Sequence, residues 1–175
     1  KLSANKEIKD LTQALGCGMG KTFKRDNLRY ERVIIMTDAD VDGAHIATLL
    51  LGFFFEQMPE LITTGRVFLA LPPLYRLVAG ETSIYAKDDA EKEKLLATKF
   101  KGRKVDITRF KGLGEMPPQH LKTTTMDPAQ RQLLRLDIPS VAEASNLINR
   151  LMGKNPQERL GFIKEYAAQA KRLDL

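Results

Sequence analysis

The chain has 175 residues, 43% hydrophobic and 29% charged, with a formal net charge of +6. That balance describes a globular protein able to bury roughly 70% of its unfolded surface without a metal or disulfide staple, and the longest apolar stretch, Ala47 to Phe55, is too short to cross a bilayer and is broken by Thr48 and Gly52. A single cysteine, Cys17, excludes a disulfide framework and a cysteine-rich zinc site and suits a reducing compartment; the excess positive charge is a mild hint of an anionic partner.

The first predicted element is a helix over Asn5–Leu15, followed by Gly16 to Lys21, read as a helix stop and mobile loop. Gly20-Lys21-Thr22 matches the close of a phosphate-binding loop, but the opening glycine of that motif would have to stand where Leu15 does, and no strand precedes it. Arg32 to Met36 is a β-branched run, the pattern of a strand buried on both faces. It runs into Thr37-Asp38-Ala39-Asp40-Val41-Asp42-Gly43. An apolar-periodic helix is expected from Ala44 to Met58, closed by Pro59, and a second strand from Arg66 to Leu71, stopped by Pro72-Pro73. Strand, acidic loop, helix and strand form a βαβ unit, which implies a parallel sheet with its functional edge at the carboxyl ends of the strands. Leu74–Val78 and Ser83–Lys87 read as a hairpin around Ala79-Gly80, Asp88–Thr98 as a charged surface helix, and Val105–Phe110 as a strand before Lys111-Gly112-Leu113-Gly114-Glu115. The last third reads as mostly helical, with Pro117–Leu121, Ser140–Met152 and Asn155–Leu173, the last two an amphipathic pair around Gly153.

The strongest chemical signal is Asp38-Ala39-Asp40-Val41-Asp42-Gly43 at the end of the first strand. Carboxylates at alternate positions repel one another and contribute nothing to a core, so a cation belongs among them, and oxygen-only ligands favour Mg²⁺ or Ca²⁺ over zinc. A solvated acidic turn is the bland alternative; the apolar strand before it and the apolar helix after it argue against that. Asp38, Asp40, Asp42 and Gly43 fit the opening of an EF-hand loop, but Leu49 stands where the bidentate glutamate must be, and the preceding segment is a strand. A haloacid-dehalogenase-like phosphatase would use Asp40 as nucleophile and Asp42 as acid. Ala44 stands where that family wants Thr or Val, and Thr37 and Asp38 intervene after the strand, so this is a weak second reading. A magnesium site for phosphoryl transfer on nucleic acid asks only for carboxylates at a strand's carboxyl end and a basic surface nearby.

Asp38 to Ile46, preceded by Ile34-Ile35-Met36-Thr37, resembles the metal-binding motif in the TOPRIM domain of bacterial type IIA topoisomerases. Pro72-Pro73-Leu74-Tyr75, Arg109 to Met116, Thr123 to Pro128 and Leu151-Met152-Gly153 match further segments of the same family in order. The resemblance covers essentially the whole chain and implies the B subunit of topoisomerase IV or of DNA gyrase. Leu71, where gyrases usually carry glutamine, points to topoisomerase IV.

By this resemblance the fold is α/β: a TOPRIM-type parallel sheet flanked by helices, truncated at its first strand, over residues 1–80, with a mixed, mainly helical tail over residues 81–175. Asp38 and Asp40 would ligate Mg²⁺, with Asp42 as third ligand or through water. His45 would contact the DNA backbone, although a packing histidine is an equally good reading of the residue alone. Arg159 matches a second DNA-contacting position and is otherwise one solvated arginine among many. Lys111 and Arg109 would meet phosphate beside Gly112 and Gly114, whose missing side chains allow close backbone approach; a tight turn with an exposed lysine is the alternative. Glu115 reads as structural. The resemblance also implies double-stranded DNA as partner, an A2B2 assembly in which the A subunit supplies the nucleophilic tyrosine, ATP bound in an N-terminal domain outside this chain, and a cytoplasmic, nucleoid-associated setting.

Lys1-Leu2-Ser3-Ala4-Asn5 resembles a point inside the family's chain. The family's catalytic glutamate lies in a Glu-Gly-Asp-Ser-Ala segment that would stand upstream of Lys1 and has no counterpart here. The chain is therefore expected to be a fragment with no catalytic residue of its own, lacking part of its metal site and inactive alone. The strand that carries that glutamate lies beside Arg32–Met36, so one sheet edge is expected to be exposed or filled by another chain. A different class of reading is a non-catalytic DNA-binding or assembly module.

Overall fold

A computed structural model of the chain describes residues 5–169. Lys1, the point at which the resemblance enters the family's chain, lies outside the described residues, so the expectation attached to it stays one of sequence. Helix α1 (Lys6–Leu15) begins where the Asn5 side chain accepts the Ile8 N–H and ends at Gly16, whose φ of 75° is the left-handed stop that glycine takes without strain. The segment that follows is a folded turn rather than a mobile loop. Cys17 is buried, and its carbonyl accepts the Lys24 N–H at 2.7 Å. Gly18 and Gly20 also have positive φ, which lets the chain fold back over α1.

Strand β1 (Val33–Ile35) leads through the acidic turn into α2 (Val41–Gln57), then α3 (Pro59–Thr63) and strand β2 (Val67–Ala70). β1 and β2 pair in parallel, Ile34 opposite Phe68, so the βαβ unit forms as its pattern predicts. β1 is shorter than the β-branched run. Only Ile35 is fully buried, while Val33 and Ile34 are half-buried, because β1 is the edge strand and pairs with β2 alone among the described residues. Phe53, Phe54, Met58, Leu61, Ile62 and Val67 form the main core, with Leu15 closing it from the end of α1 and Cys17 from the turn that follows.

After Pro72-Pro73 the chain builds a second, antiparallel sheet: β3 (Tyr75–Ala79), β4 (Thr82–Ala86) and β5 (Asp106–Arg109), in the order β4-β3-β5. Helix α4 (Asp89–Ala97) is capped by Asp88 and anchored by the Tyr75 hydroxyl, which donates to Asp89 Oδ1 at 2.6 Å. Leu77, Ala86 and Phe100 form a separate small core. Gly80 sits at the tip of the β3–β4 hairpin, so hydrogen bonding places residues 75–79 with the segment that follows.

The chain then returns to the first sheet. After α5 (Pro118–Leu121) and a wide turn, strand β6 (Leu133–Arg135) pairs antiparallel with β2, Leu69 opposite Leu134. This strand lies in a region read as mostly helical. Helices α6 (Val141–Met152) and α7 (Pro156–Tyr166) follow, capped by Ser140 and Asn155, and the expected helical reading from 170 to 173 lies outside the described residues. No helix among the described residues is long and apolar enough to cross a membrane.

Candidate metal and nucleic-acid site

The acidic turn sits at the carboxyl end of β1, where the parallel pair opens toward the amino end of α2. Asp40 is the N-cap of α2, its Oδ1 accepting the Gly43 N–H at 2.7 Å. The partial positive charge of that helix end supports a carboxylate there, and it explains why α2 starts at Val41, ahead of the predicted Ala44. Gly43 is buried against the turn, and a Cβ on it would fall 2.1 Å from the Asp38 carbonyl oxygen. The glycine that ends the acidic motif is thus required by close backbone approach.

Asp38 is held from the other side of the molecule. Its Oδ1 accepts the Leu113 N–H at 2.8 Å, across 75 residues of sequence. Gly112 lies so close that a Cβ there would sit 3.2 Å from the Asp38 carboxyl carbon. Asp38 and Asp40 therefore each have one oxygen engaged by a backbone N–H, and Oδ2 of each is the oxygen that remains for a cation. Both aspartates line an open cleft of about 530 Å³ that also borders Thr37, Ala44, Leu69 and Lys87. Asp42 lies exposed in the first turn of α2. Among the described residues, no three His, Cys, Asp or Glu side chains converge to enclose an ion. The donor set is all oxygen, which fits a hard divalent ion, and Asp38 and Asp40 are the pair that could hold it.

The other expected residues fall in different places. His45 is exposed on α2 within one turn of Asp42. Lys111 is exposed in the same turn as Gly112, and its N–H is bound by Glu115 Oε2 at 2.8 Å, which gives Glu115 its structural role. Arg109 lies on β5 with its guanidinium 6.0 Å from the Tyr75 ring centroid. Arg159 is turned inward, its Nη1 donating to the Gly153 carbonyl between α6 and α7. The sequence marked Gly112 and Gly114 as points of close backbone approach; in the fold the Asp38 carboxylate lies against Gly112, and a Cβ on Gly114 would meet nothing within 4 Å. Gly112 alone of the pair makes a close contact, and the sequence did not identify its partner.

Residues 1–72 match the family described as the Toprim domain, and residues 102–164 match the carboxyl terminus of the DNA gyrase B subunit. The chain is 58% identical over 168 residues to the DNA topoisomerase 4 B subunit of Caulobacter vibrioides, covering 95% of this chain and 24% of that protein. It is 51% identical to the DNA topoisomerase 4 B subunit of Bartonella bacilliformis, covering 100% of this chain and 26% of the relative. With the DNA gyrase B subunit of Thermotoga maritima the identity is 47%, again over 100% of this chain and 27% of the relative. The chain thus spans about a quarter of the length of these relatives, and the Toprim match displaces the haloacid-dehalogenase-like reading. Two matched families in the order that the acidic turn and the Lys111–Glu115 turn foretold, and that the Asp38–Leu113 bond joins in space, mean that the chain belongs to the B subunits of the bacterial type IIA DNA topoisomerases, as a segment carrying a Toprim domain and gyrase-B-type carboxyl-terminal sequence.

Proposed function

We propose that this chain is the metal- and DNA-binding part of a topoisomerase IV-type B subunit that supports Mg²⁺-dependent double-strand cleavage and religation, and ATP-driven strand passage together with its A-type partner. The observation that carries the reading is the Asp38–Asp40 pair at the carboxyl end of β1, with Oδ1 of each fixed by a backbone N–H and Oδ2 of each left for a cation. When bound there, Mg²⁺ supplies charge stabilisation for the scissile phosphate and the leaving 3′ oxygen.

The chain's own residues bind and orient. Asp38 and Asp40 would hold the ion, with Asp42, in the first turn of α2, as third ligand or through water. His45, exposed one turn along α2 from Asp42, and Lys111, exposed beside Gly112, take backbone phosphates of double-stranded DNA, with Arg109 extending the basic surface and Arg159, one N–H already held by the Gly153 carbonyl, offering its remaining donors. The nucleophilic tyrosine comes from the A-type partner in an A2B2 assembly, and ATP binds in the N-terminal domain of the longer B subunit. The family's catalytic glutamate, upstream of the position of Lys1, completes the metal site. The setting is the bacterial cytoplasm, at the nucleoid. Identities of 58% and 51% to topoisomerase 4 relatives, compared with 47% to a gyrase relative, support the topoisomerase IV assignment, as does Leu71.

Because no three ligand side chains converge among the described residues, a non-catalytic DNA-binding or assembly module is the second reading. Cleavage assays on the full-length B subunit with its A-type partner separate the two. Asp38→Ala or Asp40→Ala lowers Mg²⁺-dependent cleavage by roughly a hundredfold or more, while ATP hydrolysis persists. Cleavage at the wild-type rate would leave the second reading standing.

A further inference from the structure

We propose that the Gly112–Leu113 turn is a positioning element for the metal site, fixing the Asp38 carboxylate so that its Oδ2 faces the ion. The inference rests on the reading of Asp38 as a Mg²⁺ ligand and adds to it a residue that acts through Asp38 without touching metal or DNA.

An exposed aspartate on a turn samples several rotamers, and each carboxylate oxygen can take either place. Asp38 is exposed, so its own loop does not select one orientation. The selection comes from the second sheet. The Leu113 N–H binds Oδ1 at 2.8 Å, and the face of Gly112 closes against the same carboxylate, its would-be Cβ 3.2 Å from both Cγ and Oδ2. Any side chain at 112 pushes the carboxylate by a few tenths of an ångström or lengthens the Leu113 bond.

The turn is rigid enough to impose this. It runs between Phe110 and Met116, both buried, with the Phe110 N–H on the Leu74 carbonyl at 2.8 Å. Glu115 Oε2 clasps the Lys111 N–H across it at 2.8 Å. The seam where it meets Ala39, Pro72 and Pro73 contains a void of only about 10 Å³. A neutral backbone donor brings no competing cation to the carboxylate, and the entropy of choosing an orientation is lost before the ion arrives. Partners that orient a metal ligand in this way are worth about 10-fold to 100-fold in metal affinity.

The test is calorimetric titration of the full-length B subunit with Mg²⁺ alone, without nucleotide or DNA, on wild type, Gly112→Ala, Gly114→Ala and Asp38→Asn. Gly114 lies in the same turn, and a Cβ there meets nothing within 4 Å, so its variant controls for glycine flexibility. The proposal expects Gly112→Ala to weaken Mg²⁺ binding about 10-fold or more, with Gly114→Ala near wild type and all variants melting cooperatively. It also expects the Leu113 amide proton to lose its protection from exchange in Gly112→Ala but not in Gly114→Ala. Wild-type affinity in Gly112→Ala, with affinity lost in Asp38→Asn, would overturn the positioning role and leave the metal assignment intact. Wild-type affinity in Asp38→Asn would overturn the metal assignment itself, and the positioning role with it.

Discussion

Gly43 and Asp38 meet face to face: a Cβ on Gly43 would stand 2.1 Å from the Asp38 carbonyl oxygen and 3.0 Å from its nitrogen. The acidic turn is wrapped so tightly around the amino end of α2 that only a hydrogen fits. Gly43→Ala therefore has to displace the Asp38 backbone or the first turn of α2. The expected result is a loss of about 1–3 kcal/mol in stability, the range of an overpacked site, read as a lower denaturant midpoint. The Leu113 amide should shift at the same time, since the Asp38 side chain moves with its backbone.

Lys111 and Arg159 separate two kinds of basic residue. Lys111 is exposed in the turn that meets Asp38, and Lys111→Ala should weaken binding of any duplex and flatten the log–log salt dependence by about one unit, with stability unchanged. Arg159 donates to the Gly153 carbonyl, so Arg159→Ala should also loosen the α6–α7 turn. Filter-binding titrations at several salt concentrations, beside thermal melts, check both. Parallel salt slopes for Lys111→Ala and wild type would make Lys111 ordinary surface charge.

Arg150 Nη2 binds Glu165 Oε2 at 2.7 Å and joins α6 to α7. That hydrogen bond holds the Glu165 carboxyl below its ordinary value of 4.5, against a smaller upward push from burial. With the folded value depressed, the pair's contribution is present above the unfolded value and is lost as pH falls through the folded one. The protection factors of α7 amides, which correct for the slower intrinsic exchange in acid, should therefore fall as pH drops through the carboxylate range, modestly because the pair is partly exposed. Glu165→Gln should remove that acid-dependent step, and an unchanged profile in this variant would assign the step elsewhere.

Phe54 is 1% exposed and packs edge-on against Phe53 at the centre of the main core. Phe54→Ala should cost about 3–5 kcal/mol, seen as a large drop in melting temperature. Cys17, in the same core, has its thiol pushed up by burial. Alkylation by iodoacetamide should be slow in wild type and should quicken in Phe54→Ala, as opening of the core exposes the sulfur.

Local signals written in residues were legible: the β-branched run ending in alternating aspartates, the Pro72-Pro73 stop, the Gly80 hairpin, and the helices beginning near Asp88 and Ser140. Each depends on neighbours within a few positions, so patterns of apolar and turn residues suffice to find it. The resemblance of the acidic turn and the Lys111–Glu115 turn to one family was likewise legible from order and composition. β6 was not. Its three residues have no strand-length pattern and become a strand only because β2 offers an unpaired edge beside them.

What the sequence determined by itself was a cluster of three carboxylates at alternate positions after a strand, because the mutual repulsion of Asp38, Asp40 and Asp42 follows from spacing alone. What only the tertiary structure decided was the state of each carboxylate. Asp40 spends one oxygen on the Gly43 N–H, within reach of local reasoning about helix caps. Asp38 spends one on the Leu113 N–H, 75 residues away. No period, propensity or motif encodes which backbone donor meets which oxygen at that separation. The contact exists because the second sheet folds its last turn onto Ala39 and Pro72-Pro73, burying Phe110 and Met116 on either side.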